Sequence, residues 1–343
     1  MPSVKLPGVA APAGKLLKRL VAVPPKEVKL TIGVDIGSSS VKVVALGPRR
    51  GNGARPVVAQ HLVAVPEGQE VDASEAIKAA VAGLHLPVRT VTVGVSGQWV
   101  VLRVVEMPAM KPSEIKQALP FEAQRYLPFN TQDVVLDGQV LGAVDANKIW
   151  VLIVACKKEL IERRLDWVKR AGLDVGIIDA DALALANSFL SASNGRSSEE
   201  STALLNVGAQ LTNLIVFQGT IPYLVRDIPW GAEKFARAVA EQAGIDIALV
   251  QQQLVGEQPA NANLTATTRA AAEALVTEAQ LSFDYFESRF GRPPEKILVT
   301  GGLGLSSLFV EALKSHFSQP ITPWQPTQDL SGQFAIAYGL ALR

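Results

Sequence analysis

Two stretches of this chain repeat one pattern 171 positions apart: GVDIGSSSVKVVAL at 33–46 and LLNVGAQLTNLIVF at 204–217. In each, an apolar run ends in Asp or Asn (Asp35, Asn206) and Gly follows two positions later (Gly37, Gly208). Small or polar residues come next, then a second apolar run returns. A glycine turn of this kind lets backbone N–H groups converge on an anion. Hydroxyls at Ser38, Ser39 and Ser40 add donors, and Lys42 brings a point charge able to reach a β- or γ-phosphate. Asp35 suits Mg²⁺ held indirectly, through the waters that ion retains. The second copy offers Gly208, Ala209, Gln210 and, at the polar position near the return, Thr212. One such hairpin alone reads as an ordinary turn. A pair, one in each half of the chain, points to a triphosphate clamped from both sides.

A third segment, ILVTGGLGLSSLFVEAL at 297–313, runs from a strand through Gly301, Gly302 and Leu303 into a helix. Its paired glycines would let a purine or ribose approach the backbone. It is not G-x-G-x-x-G, and no Walker A sequence occurs, so a P-loop NTPase is excluded. GVSG at 94–97 lacks the G-x-S-x-G spacing, so Ser96 reads as structural.

These residues need strands and helices to carry them. Strand, turn, strand is expected over 29–46, a strand over 57–65 and a helix over 72–84 opened by Asp72 or Ser74. Two β-rich runs span 88–105. A helix capped by Ser113 should run towards Tyr126, then strands at 134–141 and 149–156, and a helix at 158–171 ended by Gly172. A strand at 175–178 feeds a helix over 180–191. SASNGRSSEEST, 191–202, is a linker by composition. Strands follow to about 229, then a helix-rich stretch from Trp230 to Leu281 with a polar break at 256–263. The last elements are a strand at 296–299, a helix at 306–316 and a helical end at 333–342. Strands and helices alternating on both sides of a linker mean an α/β protein of two halves.

Length and composition agree. The chain has 343 residues, 48% hydrophobic and 19% charged, enough for about two domains with their own cores. A net charge of +1 argues against nucleic acid as a partner. One Cys and three scattered His exclude zinc sites of the usual spacings and an internal disulfide. Residues 1–29 carry six basic side chains and one acidic. That basic tail is either a weak contact for an anionic membrane or partner, or a solvated appendage. The uncharged stretch 201–225 contains polar residues and breakers and reads as buried strands, so no transmembrane segment is expected.

The three phosphate and adenosine motifs, in this order, resemble the actin, sugar-kinase and heat-shock-chaperone ATPase superfamily. GVDIGSSSVKVV, VSGQWVVLRVVEMP, EIKQALPFEAQRYLPF, DADALALANSF, NVGAQLTNLIVFQG and FAIAYGLALR together resemble the PilM family, the actin-like proteins of type IV pilus assembly related to the division protein FtsA. The resemblance covers about 28–343. It implies an actin-like fold with a nucleotide cleft: a basic tail at 1–27, subdomain 1A at 28–104 and 177–199, and an inserted FtsA-like subdomain 1C at 105–176. Subdomains 2A and 2B would take 200–329, and 330–343 would return to 1A. ATP and Mg²⁺ are the implied cofactors. Asp35, Gly37, Ser38, Ser39, Ser40 and Lys42 fall on the first phosphate motif, and Gly208, Ala209, Gln210 and Thr212 on the second. Gly301, Gly302 and Leu303 fall on the adenosine turn. Asp181 falls on an acidic position that positions attacking water in hydrolysing relatives; a helix N-cap is the alternative. Asn206 stands where relatives carry Asp, which implies binding with slow hydrolysis at most.

The implied role is a cytoplasmic scaffold, peripheral to the inner membrane, serving type IV pilus or related type II secretion assembly. The implied partner is the N-terminal peptide of a PilN-like inner-membrane protein, held between 1A and 1C, with self-association into a ring or filament. Ile115, Leu119 and Glu122 recur at i, i+4 and i+7 beside Phe121, Arg125 and Tyr126, a mixed surface suited to such a peptide. The alternatives are a small-molecule kinase of the same superfamily, for which no second acidic motif is evident, and an FtsA-like filament protein, whose C-terminal amphipathic helix is not evident.

Overall fold

A computed structural model describes residues 30–49, 55–65, 72–192, 199–255 and 262–343. The basic tail and the middle of the linker, 193–198, lie outside them.

The first half is built on a five-stranded sheet of order β3-β2-β1-β4-β8. Its members are β1 (Thr31–Ile36), β2 (Ser40–Leu46), β3 (Val57–Ala64), β4 (Thr90–Val95) and β8 (Asp174–Ala180). The second half repeats it as β11-β10-β9-β12-β13. These are β9 (Ser201–Val207), β10 (Thr212–Gln218), β11 (Ile221–Ile228), β12 (Lys296–Thr300) and β13 (Ile321–Pro323). In both, the first three strands form an antiparallel meander and the last two run parallel to the first. The central strands are buried on both faces, which is why they read as unbroken apolar runs rather than alternating ones.

Helix α1 (Ser74–Ala82) follows the first meander, and Asp72 Oδ1 accepts the Ser74 N–H at 2.9 Å. Helix α4 (Asp181–Ala192) lies between the halves. Its Ala184 and Leu185 share one core with Leu204, Ile215 and Phe217 of the second sheet and Leu340 of the closing helix α9 (Ala335–Ala341). That closing helix returns to the first half. It approaches so closely that a Cβ at Gly339 would overlap the Ala184 carbonyl, and one at Gly33 the Ala337 carbonyl. Arg343 Nε meets the buried Asp179 carboxylate at 2.9 Å beyond it. The second half adds α5 (Ala232–Ala243), α6 (Ile247–Val255), α7 (Ala262–Phe290) and α8 (Ser307–Lys314).

A separate three-stranded sheet, β5-β7-β6, leaves the first half after β4. It comprises β5 (Val100–Pro108), β6 (Val134–Ala143) and β7 (Lys148–Lys157), with α2 (Pro112–Ala123) across it. Ser113 does not cap α2: the helix starts at Pro112, and the Glu114 carboxylate accepts the Lys111 N–H at 2.7 Å. The expected insertion, 105–176, takes in more than this sheet. Helix α3 (Lys158–Arg170) and β8 belong with the first sheet: Val168, Ala171 and Leu173 are buried against Ile32, Val34 and Ile77. The small sheet with α2 spans 100–157, and its Leu102, Trp150 and Leu152 share the core around α4. It braces the second half, where Trp150 meets Tyr223 (5.7 Å between ring centres) and Phe290 (5.5 Å), and Arg289 lies 4.8 Å over the Trp150 ring. Cys156 is buried, and burial pushes its thiol up to about 11, so it stays an inert thiol.

Candidate functional site

The two repeated segments fold into matching hairpins. The Gly37 N–H donates to Ser40 O at 3.1 Å, and the Gly208 N–H to Leu211 O at 2.9 Å, the same bond in each copy. Ser38 and Ser39 stand exposed at the first tip, with Ser40 buried behind them. Register places Asp35 opposite Lys42, whose Nζ lies 3.4 Å from Asp35 Oδ2. The charge pair sits in the shelter of the turn, Asp35 being buried.

In the second copy the residue opposite Asn206 is Asn213, not Thr212. Thr212 faces the other way, fully buried, and donates to Trp230 O at 2.8 Å. Side chains alternate across a strand, so one position decides which face a group serves. Asn206 Nδ2 donates to Asn213 Oδ1 at 3.0 Å, and Asn213 Nδ2 donates to Asp227 Oδ1 at 2.8 Å. The hairpin rests on the start of α5, where the Ala232 and Glu233 N–H groups donate to the Gly208 and Ala209 carbonyls at 2.9 Å. Gln210 Nε2 reaches Glu233 Oε2 at 3.0 Å.

Gly301 sits at φ +88°, and a Cβ there would lie 2.5 Å from Val207 O, so the adenosine-type turn packs directly on the end of β9. Gly302 faces open space. Leu303 is core of the second half, so only its backbone is available to a ligand.

Asp181, the first residue of α4, is buried, with its Oδ1 against Gly94 and no partner for that atom. Burial raises its pKa to about 7; the Asp35 charge adds to this, while a hydrogen bond from Ser96 and the Arg164 charge oppose it. Arg164, on α3, donates to Ile36 O at 3.3 Å and stacks 4.9 Å over Trp167. Asp227 Oδ2 accepts the Gly97 N–H at 3.0 Å, a bond from one half to the other. Burial raises the Asp227 pKa, and the Gly97 and Asn213 hydrogen bonds hold it down. Asp227, Asn213, Arg164 and Gly97 carry no local motif that points to this site. A strand-by-strand register would have reached Asn213 and Asp227, but the approach of Arg164 is tertiary.

Three carboxylates, Asp35, Asp181 and Asp227, thus interact around one region with Lys42 and Arg164 as the cations facing them. Three acids facing two cations, with an orphaned carboxylate oxygen on Asp181, would suit a divalent cation. Among the described residues no three His, Cys, Asp or Glu side chains converge to cage an ion directly. The surplus of acids would suit Mg²⁺, which binds through retained waters and substrate phosphates. A cavity of about 720 Å³ opens elsewhere, between β5, the end of α2, β11 and α7, with Arg103, Tyr126, Arg226 and Tyr285 in its wall. It belongs to the face of the small sheet rather than to the hairpins. No helix among the described residues is long and apolar enough to cross a membrane.

Comparison with known proteins supplies the family. Among solved structures the fold matches the PilM–PilN type IV pilus biogenesis complex at TM-score 0.79 and 22% identity, over 93% of this chain and 99% of that one. It matches the ethanolamine utilization protein EutJ from Carboxydothermus hydrogenoformans at 0.58 and 12%, over 96% and 97%. It matches a diol dehydratase-reactivating factor at 0.58 and 10%, over 92% and 99%. The two-halved architecture is the actin-like ATPase fold the motifs implied. The family of the type IV pilus assembly protein PilM matches residues 33–343. With nine-tenths of its length so matched, this chain belongs to the PilM family of type IV pilus assembly proteins.

Proposed function

We propose that this protein is an ATP- and Mg²⁺-loaded scaffold of type IV pilus assembly, working on the cytoplasmic side of the inner membrane. The carrying observation is the pair of identical hairpin closures at Gly37 and Gly208, one in each half, with Lys42 beside the first. Lys42 and the serine tip would hold β- and γ-phosphates, the Gly208–Gln210 turn would meet them from the other half, and Gly301–Gly302 would take the adenosine. Mg²⁺, when bound, would neutralise phosphate charge, with Asp35 holding its waters. Asp181, near neutrality in pKa, would orient a water, and Asn206 leaves the second hairpin without the charge that speeds hydrolysis, so turnover is slow.

The partner is the cytoplasmic N-terminal peptide of a PilN-like inner-membrane protein. The resemblance to a PilM–PilN complex supports this, and the small sheet with α2 supplies a surface for it. Self-association into a ring or filament belongs to the same reading. Titration calorimetry tests the nucleotide site: Lys42→Ala is expected to weaken ATP binding roughly tenfold or more, the scale of one charge-assisted contact. Unchanged affinity would remove the hairpins from the site.

A further inference from the structure

The two halves differ at one rung of their matching meanders. Across β1, β2 and β3 the rung reads Asp35, Lys42, Leu62; across β9, β10 and β11 it reads Asn206, Asn213, Asp227. The first half carries its carboxylate on the central strand. The second has none there and carries one on the third strand, joined to Asn206 through Asn213 by bonds of 3.0 and 2.8 Å. The Asp227 side chain also reaches across to the first half, where the Gly97 N–H donates to it at 3.0 Å. Strand register fixes this rung, so the two asparagines pass the polar face of the hairpin to an acid two strands away.

We propose that Asp227 is the second half's carboxylate for the cation that accompanies the nucleotide, supplying through solvent the charge that Asn206 lacks. This rests on the nucleotide reading above. The orphaned Oδ1 of Asp181 lies against Gly94, three residues before the Gly97 whose N–H Asp227 accepts, and marks the region as short of positive charge. Both Asp227 oxygens already accept a hydrogen bond, so Asp227 does not serve as a free base. Each keeps capacity to accept another from a metal-bound water. The acid thereby separates two functions: cation retention survives the loss of Asp at 206, while activation of water does not.

The test is the affinity of the full chain for ATP, measured by calorimetry with Mg²⁺ and with EDTA. In the wild type Mg²⁺ is expected to strengthen binding roughly tenfold or more. Asp227→Asn is expected to lose most of this Mg²⁺ gain, read as the ratio of its own affinities with Mg²⁺ and in EDTA. Asn206→Asp combined with Asp227→Asn returns a carboxylate to the same rung and is expected to recover it. A purely structural role for Asp227, bridging to Gly97, would not be rescued in this way. Asp227→Asn keeping the full Mg²⁺ gain, a wild type indifferent to Mg²⁺, or a double variant without recovery would each overturn the proposal. Absence of ATP binding in the wild type under both conditions would instead overturn the nucleotide reading beneath it.

Discussion

Asp181 shows how much one residue's setting changes its chemistry. A carboxyl at the start of a helix usually stays ionised, since the helix N-terminus favours negative charge. Here burial beneath Gly94 and the neighbouring Asp35 raise its pKa from 3.8 to about 7. A carboxyl whose pKa is higher folded than unfolded contributes fully only below the unfolded value. That contribution is lost as pH rises through about 7, and above it the buried charge costs stability. Asp181→Asn is therefore expected to raise the melting temperature at pH 8 in EDTA, by an amount equivalent to a few kcal/mol at most. At pH 4 the gain should be nearly absent. Thermal melts showing equal shifts at both pH values would place the charge elsewhere.

At the scale of elements, α2 turns an apolar stripe inward and leaves an aromatic outside. Ile115, Leu119 and Ala123 are buried, Leu119 and Ala123 in one core with Val151 and Ile153 of β7, and Leu119 packs on Gly138 of β6. The i, i+4 stripe thus closes on Ala123, while Glu122 accepts hydrogen bonds from Arg125 and Tyr126 at 3.2 Å. Phe121 is left 77% exposed, so it does not fill the core of the small sheet. An exposed aromatic, here next in sequence to the cavity-lining Glu122, is a typical anchor for a partner. Phe121→Ala is expected to weaken binding of a PilN-like N-terminal peptide by ~1–2 kcal/mol, read by fluorescence anisotropy, with the melting temperature unchanged. Full peptide affinity in this variant would move the groove away from α2.

Among the described residues the parts of the molecule meet at the core around α4, the Gly97–Asp227 bond, the Glu106–Arg289 ion pair and the aromatic seam of Trp150, Tyr223 and Phe290, among other contacts. A ligand that draws the hairpins together must therefore act on the small sheet, because that sheet leans on β11 and α7 of the second half. Such coupling is reciprocal and typically about 1–3 kcal/mol. Mg²⁺–ATP is expected to change affinity for the partner peptide several-fold, and the peptide to change ATP affinity by the same factor. Equal peptide affinity at zero and saturating ATP would show that the two sites are independent.

The sequence by itself determined the repeat and nearly all that follows from local pattern. Glycine and small-residue turns after apolar runs placed the hairpins at 37–40 and 208–211. Apolar period and breakers placed most strands and helices, and the order of motifs carried the fold. What it left to the tertiary structure was facing. A one-position difference turned Thr212 towards Trp230 and Asn213 towards Asn206 and Asp227, because side-chain direction in a strand is known only from its register. Helix α3 joined the first sheet rather than the insertion because its apolar face fits α1 and β8, a choice between two surfaces that its own residues do not state. Asp227 and Arg164 came to the site across sheet and helix from positions with no local motif. Burial of their charges, which gives the site its electrostatics, exists only once both halves are packed.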